Sequence, residues 1–396
     1  MVTAKEISDF VDANCEECVG FLQEILRTAS PTGDEKAVSE VFRKKMESAG
    51  LKVDSYEAQP GRPNLLAEWF GTREGKRFVF NGHMDVFPPV AGDPGKYGPW
   101  SGTIAEGYIY GRGAADMKGG DAAAMMATLL LKRMGFDPKG SVLLSWMVDE
   151  ERGSRYGVNY LLSKGLLKGD FGLCMEPTCG RVIRAHGGII RGYVTYRSLP
   201  YHCSTVYPYG ADALEKAVRV LTELYKIRDR LYARPDPVGY PKAVLSMAVL
   251  HAGEVANVHP SEATFWFDRR FNPGEDHDSA LKEIVDVLES FKAKDPSYDY
   301  EMVVTNDRPI LDVKADNPYL DIIQEAYTEV MGHPVEITTR QGGSDAGNIN
   351  SANGLPIPNF GFADETVSGI ADENFKISDY LDSIKVYMNI VAHCLK

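Results

Sequence analysis

Short apolar runs that alternate with helical segments constrain the fold of this chain most strongly. Four runs predict buried β-strands: NLLAEWF, RFVFNG, SVLLSWMV and DFGLCM. Helical patterns such as GGDAAAMMATLLLKRM separate some of them, and two amphipathic helices open the chain, the first running through Ile7 to Leu26. Strands that alternate with helices predict an α/β fold in which a mixed sheet is covered by helices.

A second domain is expected because 396 residues exceed what one hydrophobic core usually supports. From about residue 180 the pattern changes to strand, helix, two strands, helix and strand, the βαββαβ order of a ferredoxin-like unit. After it, the α/β pattern returns. We therefore predict one domain formed by residues 1–179 and 297–396, with an α+β domain of residues 180–296 inserted into it.

Charge and composition exclude several classes of partner. The formal net charge is −13 and the acidic residues are spread along the chain, so nucleic acid and anionic membranes are not expected to bind. The segment MVTAKEISDFVD has no apolar signal-peptide core, and the six cysteines are scattered. These features favour a cytoplasmic protein with reduced thiols and a small-molecule ligand.

Metal-binding side chains follow successive strand or helix boundaries. His83 and Asp85 come directly after a buried strand, and later boundaries deliver Asp116, the pair Glu150 and Glu151, and then Glu176. His83 and Asp85 point the same way on an extended chain, so His83 can bind a metal while Asp85 holds its ring. Any one of these boundaries has a plain explanation as a solvated loop. Together they predict a site for zinc, manganese or cobalt.

Five motifs, in order, carry a family resemblance. The segments NGHMDVFP, GRGAADMKGG, DEERGS, EPT and FDRRFNPGED resemble the M20 family of metal-dependent peptidases and deacylases, and the resemblance extends over essentially the whole chain. That family includes acetylornithine deacetylase, succinyl-diaminopimelate desuccinylase and aminoacylase. The resemblance implies a metallohydrolase that cleaves an amide C–N bond in a small carboxylate-bearing substrate. It also implies a homodimer formed through the inserted lid domain.

The resemblance assigns roles at the metal site. It implies that His83, Asp116 and Glu176 bind one metal, and that Asp116 bridges to a second metal also held by Glu151. Glu150 would be the general base, and the Asp116–Met117 peptide would be cis. One or two Zn²⁺ ions per subunit are expected, with Mn²⁺ or Co²⁺ as alternatives.

The resemblance also assigns roles within and near the lid. His202 would steady the oxyanion in the partner subunit's active site, while Asn257 and Arg270 would contact substrate. Gly343 and Ser344, in the segment QGGSDAGN, would line the substrate pocket. Two plainer interpretations stay open: His202 as a polar strand-end residue, and Arg270 as the ion-pair partner of Asp268.

The chain departs from the family pattern near its C-terminus. In VSGIADENF the position of a metal-binding histidine is occupied by Gly369. One explanation is a substitute carboxylate ligand from Asp364, Glu365 or Asp372, and another is a single metal at the His83 position. A third is the loss of hydrolysis, which would leave a ligand-binding homologue. A changed site also suggests an atypical C–N bond, such as that of an arylamine or a ureido group.

Overall fold

The computed structural model describes residues 2–89, 95–206, 211–235, 237 and 239–396. The chain divides into two compact units. Unit 1 comprises Met1–Ala185, Leu311–Thr339 and Ser344–Lys396, and unit 2 comprises His186–Ile310 and Arg340–Gly343. The predicted boundaries at residues 180 and 296 are therefore displaced.

The helices of the described residues begin and end as follows. They are α1 (Ala4–Ala13), α2 (Cys15–Arg27), α3 (Lys36–Ser48), α4 (Lys118–Arg133), α5 (Val158–Ser163), α6 (Ala213–Ala233), α7 (His277–Lys294), α8 (Pro318–Met331), α9 (Asp345–Asn353) and α10 (Ile377–Cys394). Within the described ranges, no helix is both long enough and apolar enough to cross a membrane.

The strands range in length from 2 to 11 residues. They are β1 (Val53–Tyr56), β2 (Asn64–Phe70), β3 (Arg73–His83), β4 (Thr103–Ala105), β5 (Tyr108–Tyr110), β6 (Lys139–Met147), β7 (Phe171–Cys174), β8 (Val182–His186), β9 (Gly188–Arg197), β10 (Tyr201–His202), β11 (Val244–Ala252), β12 (Val258–His259), β13 (Glu262–Phe271), β14 (Tyr300–Arg308), β15 (Leu311–Asp312), β16 (Ile337–Arg340) and β17 (Asn374–Lys376).

The main sheet of unit 1 has the strand order β1-β2-β6-β3-β7. β3 runs parallel to β6 and β7, whereas β2 is antiparallel to β6. The central strands are buried on both faces, which explains why their sequences are continuous apolar runs instead of alternating ones. α4 packs on β3 and β6, and α10 packs on α4 and α8.

The parallel register places three strand ends at one edge of this sheet. His83 at the end of β3 pairs with Met147 at the end of β6, and Asn81 pairs with Cys174 at the end of β7. Residues that follow β6 and β7 therefore emerge beside His83. This is the edge at which open α/β sheets gather ligands.

A small sheet of order β17-β5-β4 lies in the same unit. Phe375 of β17 pairs with Ile109 of β5, and Asn374 pairs with Tyr110. This pairing joins the C-terminal part of the chain to the strand that leads into the segment before α4.

Unit 2 contains an antiparallel sheet of order β11-β13-β9-β14, with α6 and α7 packed on it. The predicted βαββαβ order is confirmed, and each helix begins at an aspartate cap, Asp212 for α6 and Asp276 for α7. The predicted end of the domain at residue 296 is wrong, because β14 pairs with β9 along its length. The predicted start at residue 180 is also wrong, because β8 pairs with β15 and β16.

The first helix predicted from the sequence is two helices. α1 ends and α2 begins at Asn14, whose backbone is not helical (φ −113°, ψ 15°). The Asn14 side chain donates a 2.8 Å hydrogen bond to the carbonyl of Phe10 and so satisfies an acceptor at the end of α1. The apolar spacing continues through the break, which is why periodicity alone did not reveal it.

Candidate metal centre

Strand ends in unit 1 bring metal-binding side chains together. One ligand atom from each of His83, Asp116 and Glu151 lies within 4.8 Å of the other two. His83 Nε2 is 3.2 Å from Asp116 Oδ1 and 3.9 Å from Glu176 Oε1. His83 ends β3, Glu151 lies in the turn after β6, and Glu176 follows β7. The four side chains predicted as ligands therefore meet at one edge of the sheet.

A hydrogen bond fixes the orientation of the His83 ring. Nδ1 lies 2.8 Å from the main-chain oxygen of Asp85. A carbonyl oxygen only accepts, so Nδ1 carries a proton, and Nε2 is the ring nitrogen that faces the cluster. The Asp85 carboxylate is farther away, with Oδ1 3.7 Å from Nδ1. The expectation that this carboxylate holds the ring is corrected: the main-chain carbonyl does so.

The Asp85 carboxylate instead positions the two glutamates. Oδ1 accepts a 3.0 Å hydrogen bond from the Glu150 amide, and Oδ2 accepts from the Glu151 amide at 3.3 Å and from the Thr32 hydroxyl at 2.9 Å. Burial raises the pKa of Asp85 to about 6. A single buried residue thus connects the histidine to the glutamate turn.

The cluster is largely shielded from solvent, with His83 and Glu176 buried and Asp116 and Glu151 half-buried, and it is rich in negative charge. His83 Nε2 and Glu151 Oε1 are buried without a hydrogen-bond partner. Burial opposes a charge on His83, but contact with Asp116 and the charge of Glu150 outweigh it and raise the pKa of the imidazole well above its usual range. Burial and the charge of Asp116 raise the pKa of Glu151 in the same way. A divalent cation would offset this charge and satisfy both atoms, so the residues fit a metal.

Glu150 sits in a braced turn. The turn follows Asp149, whose backbone is left-handed (φ 72°). The Asp149 carboxylate accepts from Arg62 Nη1 at 3.2 Å, and Arg62 Nε donates to Glu35 Oε2 at 2.9 Å. Sequence analysis missed Arg62 and Glu35, since neither lies near a motif; the only local signal was Asp149 within DEERGS.

A second brace that sequence analysis missed is Glu373, which is buried. Its Oε1 accepts three hydrogen bonds of 3.0 Å from the amides of Gly113, Ala115 and Asp116. Its Oε2 accepts from Arg112 Nη1 at 3.0 Å. Glu373 therefore holds the loop that presents Asp116. A sequence signal for Glu373 was available, because it lies in the segment VSGIADENF, four residues after Gly369.

The segment with the missing histidine contacts Asp116 through a different residue. Ser368 donates a 2.6 Å hydrogen bond to Asp116 Oδ2. Gly369 has a left-handed backbone (φ 72°), and its amide donates to Glu373 Oε2 at 3.3 Å. The Asp116–Met117 peptide is cis, as the resemblance implies.

The structure does not bring the three proposed substitute ligands into the cluster. Asp364 accepts from the amide and hydroxyl of Thr366, each at 2.8 Å, and Glu365 pairs with Arg181 at 2.6 Å. Asp372 accepts from the amides of Lys96 and Tyr97 at 2.7 and 2.9 Å. Each carboxylate has a local structural role, which corrects the expectation that one of them replaces the histidine.

His202 and Asn257 lie together in unit 2. They are brought together by the pairing of β10 with β12, and His202 Nε2 is 3.4 Å from Asn257 Nδ2. His202 Nδ1 is 2.8 Å from the Ser204 hydroxyl, and all three residues are exposed. The pair is therefore accessible to a ligand.

Arg270 forms the ion pair that the sequence left open as an alternative. Its Nε is 2.5 Å and its Nη2 3.1 Å from the Asp268 carboxylate. Gly343 belongs to unit 2, and Ser344 belongs to unit 1, where its hydroxyl donates to Asn359 Oδ1 at 2.9 Å.

Comparison with known proteins identifies the family. Residues 79–393 match Peptidase family M20/M25/M40. The chain belongs to this family. The succinyl-diaminopimelate desuccinylase of Methylorubrum extorquens (strain PA1) is 30% identical over 373 residues, which cover 90% of this M20 chain and 93% of that protein.

Solved structures agree with the fold of this M20 chain. Human carnosine dipeptidase 1 superposes with a TM-score of 0.78 at 16% identity, covering 99% of this chain and 98% of that one. The YXEP protein of Bacillus subtilis, described as a dinuclear metal-binding peptidase of the M20 family, gives 0.70 at 15% identity, with 97% and 99% covered. The predicted α/β metallohydrolase fold is confirmed.

Membership of the M20 family establishes the class of reaction. The protein is an enzyme, a metal-dependent hydrolase of amide C–N bonds. The interpretation as a ligand-binding homologue without activity is thereby set aside.

Proposed function

We propose that this M20 enzyme hydrolyses the amide bond of a small N-acyl amino acid or dipeptide-like substrate that bears a carboxylate. The observation that carries the proposal is the cluster of buried His83 with half-buried Asp116 and Glu151, with Glu150 held beside it by Asp85. Unit 1 then provides the catalytic domain, and unit 2 provides the lid and dimerisation domain.

Glu150 acts as the general base. When bound, a divalent metal supplies the Lewis acid that polarises the scissile carbonyl and acidifies a water molecule. Glu150 takes the proton of that water and passes it to the leaving nitrogen. The Asp85 carboxylate keeps Glu150 in place through its main-chain amide at 3.0 Å, so the base does not have to be ordered during the reaction.

Zinc is the metal that the donor set fits best. One imidazole nitrogen and the carboxylate oxygens of Asp116, Glu151 and Glu176 form a mixed set that zinc accepts readily. Mn²⁺ and Co²⁺ accept the same donors and are the alternatives.

The carboxylate of the substrate is assigned to Arg270. A guanidinium binds a carboxylate through two parallel hydrogen bonds, and Asp268 already occupies such a geometry. Substrate would therefore compete with Asp268 for Arg270. His202 and Asn257 are assigned to the oxyanion and the substrate, and Gly343 and Ser344 to the pocket wall. The desuccinylase relative supports a succinyl-type acyl group as the first to assay.

Replacing Glu150 with glutamine tests the proposal. The Glu150→Gln variant keeps the size of the side chain and the amide contact to Asp85 but removes the basic oxygen. We expect kcat on N-succinyl, N-formyl and N-acetyl amino acids to fall by about 100- to 10,000-fold with unchanged metal content. Glu47→Gln makes the same chemical change at an exposed position of α3 and should leave kcat unaltered.

Two results would overturn the proposal. Full activity of the Glu150→Gln variant would remove Glu150 as the base. Failure of the zinc-, manganese- and cobalt-loaded wild type to hydrolyse any N-acyl amino acid or dipeptide would redirect the search to arylamide and ureido bonds.

Assembly and location complete the proposal. We assign a homodimer formed through β11, which is an edge strand, and α6. Apolar side chains are exposed on both, including Val249, Leu250, Val218 and Tyr232. None of the six cysteines, all of which are described, forms a disulfide, which supports a reducing compartment such as the cytoplasm.

A further inference from the structure

The two oxygens of Asp116 have different environments. Oδ1 is 3.2 Å from His83 Nε2, on the side where the ligand atoms converge. Oδ2 accepts the 2.6 Å hydrogen bond from the Ser368 hydroxyl. A carboxylate that bridges two metal ions uses one oxygen for each, so the hydroxyl of Ser368 occupies the side of Asp116 that a second ion would need.

Gly369 cannot supply a replacement ligand. Its φ of 72° is a conformation that side chains rarely adopt. A Cβ built on Gly369 would meet the Phe87 ring at 3.4 Å and Arg112 Nη1 at 3.9 Å. A side chain at this position would thus start beside an aromatic ring and a cation, neither of which is a surrounding for a metal ligand.

The segment is also held in this arrangement. The Gly369 amide donates to Glu373 Oε2, and the same carboxylate accepts from the Asp116 amide. Glu373 therefore fixes the Ser368 segment and the Asp116 loop relative to each other. The contact between the Ser368 hydroxyl and Asp116 is therefore supported by the hydrogen bonds that Glu373 accepts from both segments.

The ligand atoms of His83, Asp116 and Glu151 form one group, within 4.8 Å of one another. Within the part of the chain that the structure describes, Glu151 does not belong to a second such group. Asp364, Glu365 and Asp372 are engaged by Thr366, Arg181 and the amides of Lys96 and Tyr97, respectively. Among the described residues, the donors thus suffice for one ion.

We propose that each chain binds a single metal ion tightly, and that Ser368 sets this number by occupying Asp116 Oδ2. This inference rests on the proposed metallohydrolase function and adds to it the number of ions with which it operates. His83, Asp116 Oδ1, Glu151 and Glu176 would hold the ion, and Ser368 would take the place of a second ion as a neutral hydrogen-bond donor. Ser368 is then a positioning residue that acts through Asp116.

Metal stoichiometry tests this inference without relying on activity. Metal-depleted full-length enzyme is titrated with Zn²⁺ by calorimetry, and bound metal is measured by mass spectrometry after dialysis. We expect one tight equivalent per chain in the wild type. Loading with Mn²⁺ should give the electron paramagnetic resonance spectrum of an isolated ion instead of a coupled pair.

Variants at two neighbouring positions locate the determinant. Ser368→Asp places a carboxylate against Asp116 Oδ2, and we expect it to bind a second equivalent, because a cation relieves the repulsion between the two carboxylates. Gly369→His should stay at one equivalent. Ser378→Ala is the matched control for Ser368→Ala, since Ser378 also donates to an aspartate, Asp379, at 2.9 Å, but is exposed at the start of α10. Ser368→Ala releases Asp116 Oδ2 and should admit a second, weaker equivalent, whereas Ser378→Ala should keep one tight equivalent.

Each outcome decides a separate claim. Two tight equivalents in the wild type overturn the single-ion inference, while hydrolysis by that protein would leave the proposed function standing. A second ion in Gly369→His but not in Ser368→Asp overturns the role of Ser368. No tight equivalent in the wild type, together with no hydrolysis, removes the proposed function itself.

Discussion

Glu373 accepts five hydrogen bonds, from the Arg112 guanidinium and from four main-chain amides. Burial raises its pKa, and the amide donors oppose that rise. The carboxylate is a brace: it neither belongs to the group of ligand atoms nor has an oxygen left for a metal. Its effect on the metal passes through the position of the Asp116 loop.

Replacing Glu373 with glutamine tests whether the carboxylate acts by accepting the hydrogen bonds that hold the Asp116 loop. The amide nitrogen of glutamine would face the donors Arg112 and Gly369, so buried donors lose their acceptor. We expect the free energy of unfolding of the metal-free protein to fall by about 2 to 4 kcal/mol. Zinc affinity should fall by about 10- to 100-fold.

Urea unfolding and zinc titration measure the two effects, with Asp372→Asn as the comparison. Asp372 is adjacent to Glu373 and accepts hydrogen bonds from two main-chain amides, those of Lys96 and Tyr97. Unlike the donors to Glu373, Lys96 lies at the surface. Asp372→Asn should lower the free energy of unfolding by about 1 kcal/mol and leave zinc affinity intact. Equal losses of affinity in both variants would contradict the brace.

At this scale the sequence predicted which candidate ligands gather at the edge of the sheet but not the contacts that position them. His83, Glu151 and Glu176 follow apolar strands, which is a local pattern, and parallel strands bring such ends together. The contact of Glu373 with Asp116 spans 257 residues, and no local pattern records it.

Turns and strands of unit 1 are joined by a buried ion triad. Arg62, just before β2, pairs with Glu35 at the start of α3 and with Asp149 in the turn after β6. The side chain of Arg62 is 8% exposed and that of Glu35 is fully buried. The triad ties the turn that carries Glu150 to two other elements.

Replacing Arg62 with methionine removes the charge while keeping a long apolar stem. Two buried carboxylates lose their partner, and we expect a loss of about 3 to 5 kcal/mol in the free energy of unfolding. kcat should also fall, since the Glu150 turn loosens. Chemical denaturation and steady-state kinetics measure these changes. Arg77→Met is the control, because it removes an ion pair with Glu68 that is more exposed. An equally large loss in the free energy of unfolding for Arg77→Met would contradict the larger contribution assigned to the triad.

Strand β8 ends in a buried histidine whose titration affects stability. Burial, together with the charges of Arg340 and Arg308, lowers the pKa of His186 to about 3, while hydrogen bonds to main-chain oxygens oppose this. The unfolded chain binds the proton near its ordinary pKa, about 6.5. Between these values the unfolded state binds more protons, so stability falls as pH falls.

His186→Gln should abolish this part of the pH dependence. The stabilising contribution of neutral His186 is complete above about pH 6.5 and is reduced by about 2 kcal/mol at about pH 5. The difference in free energy of unfolding between wild type and variant should therefore shrink by that amount from about pH 7.5 to about pH 5. Urea unfolding at both pH values measures it. A constant difference would show that His186 does not titrate in this range.

At the scale of the whole molecule, unit 2 presents an apolar edge. Val249 and Leu250 on β11 are 41% and 39% exposed, and β11 has an open side in the sheet. Replacing Leu250 with lysine should convert the proposed dimer to a monomer, because charged residues on an edge strand block pairing. Light scattering after size-exclusion chromatography measures the mass.

Phe70→Lys provides the control for this prediction. Phe70 is 70% exposed on β2 of unit 1, so the substitution makes a comparable charge change away from β11. The control should remain dimeric. Dissociation of both variants, or of neither, would contradict an interface through β11.

Domain organisation was predictable in outline because the order of strands and helices changes along the chain. Its boundaries were not, since β14 is assigned by pairing with β9 and β8 by pairing with β15 and β16. The apolar sequence pattern indicates which segments are strands but not which sheet they join. The segment Arg340–Gly343 belongs to unit 2 for the same reason, although its sequence neighbours belong to unit 1.

The separation of Glu373 from Asp116 along the chain has a consequence for biosynthesis. His83, Asp116, Glu151 and Glu176 all leave the ribosome long before Glu373, the residue that positions the Asp116 loop. A nascent chain that has reached Glu176 therefore carries every predicted ligand but not their arrangement. Metal acquisition should follow the end of translation, and prematurely terminated chains should not sequester zinc.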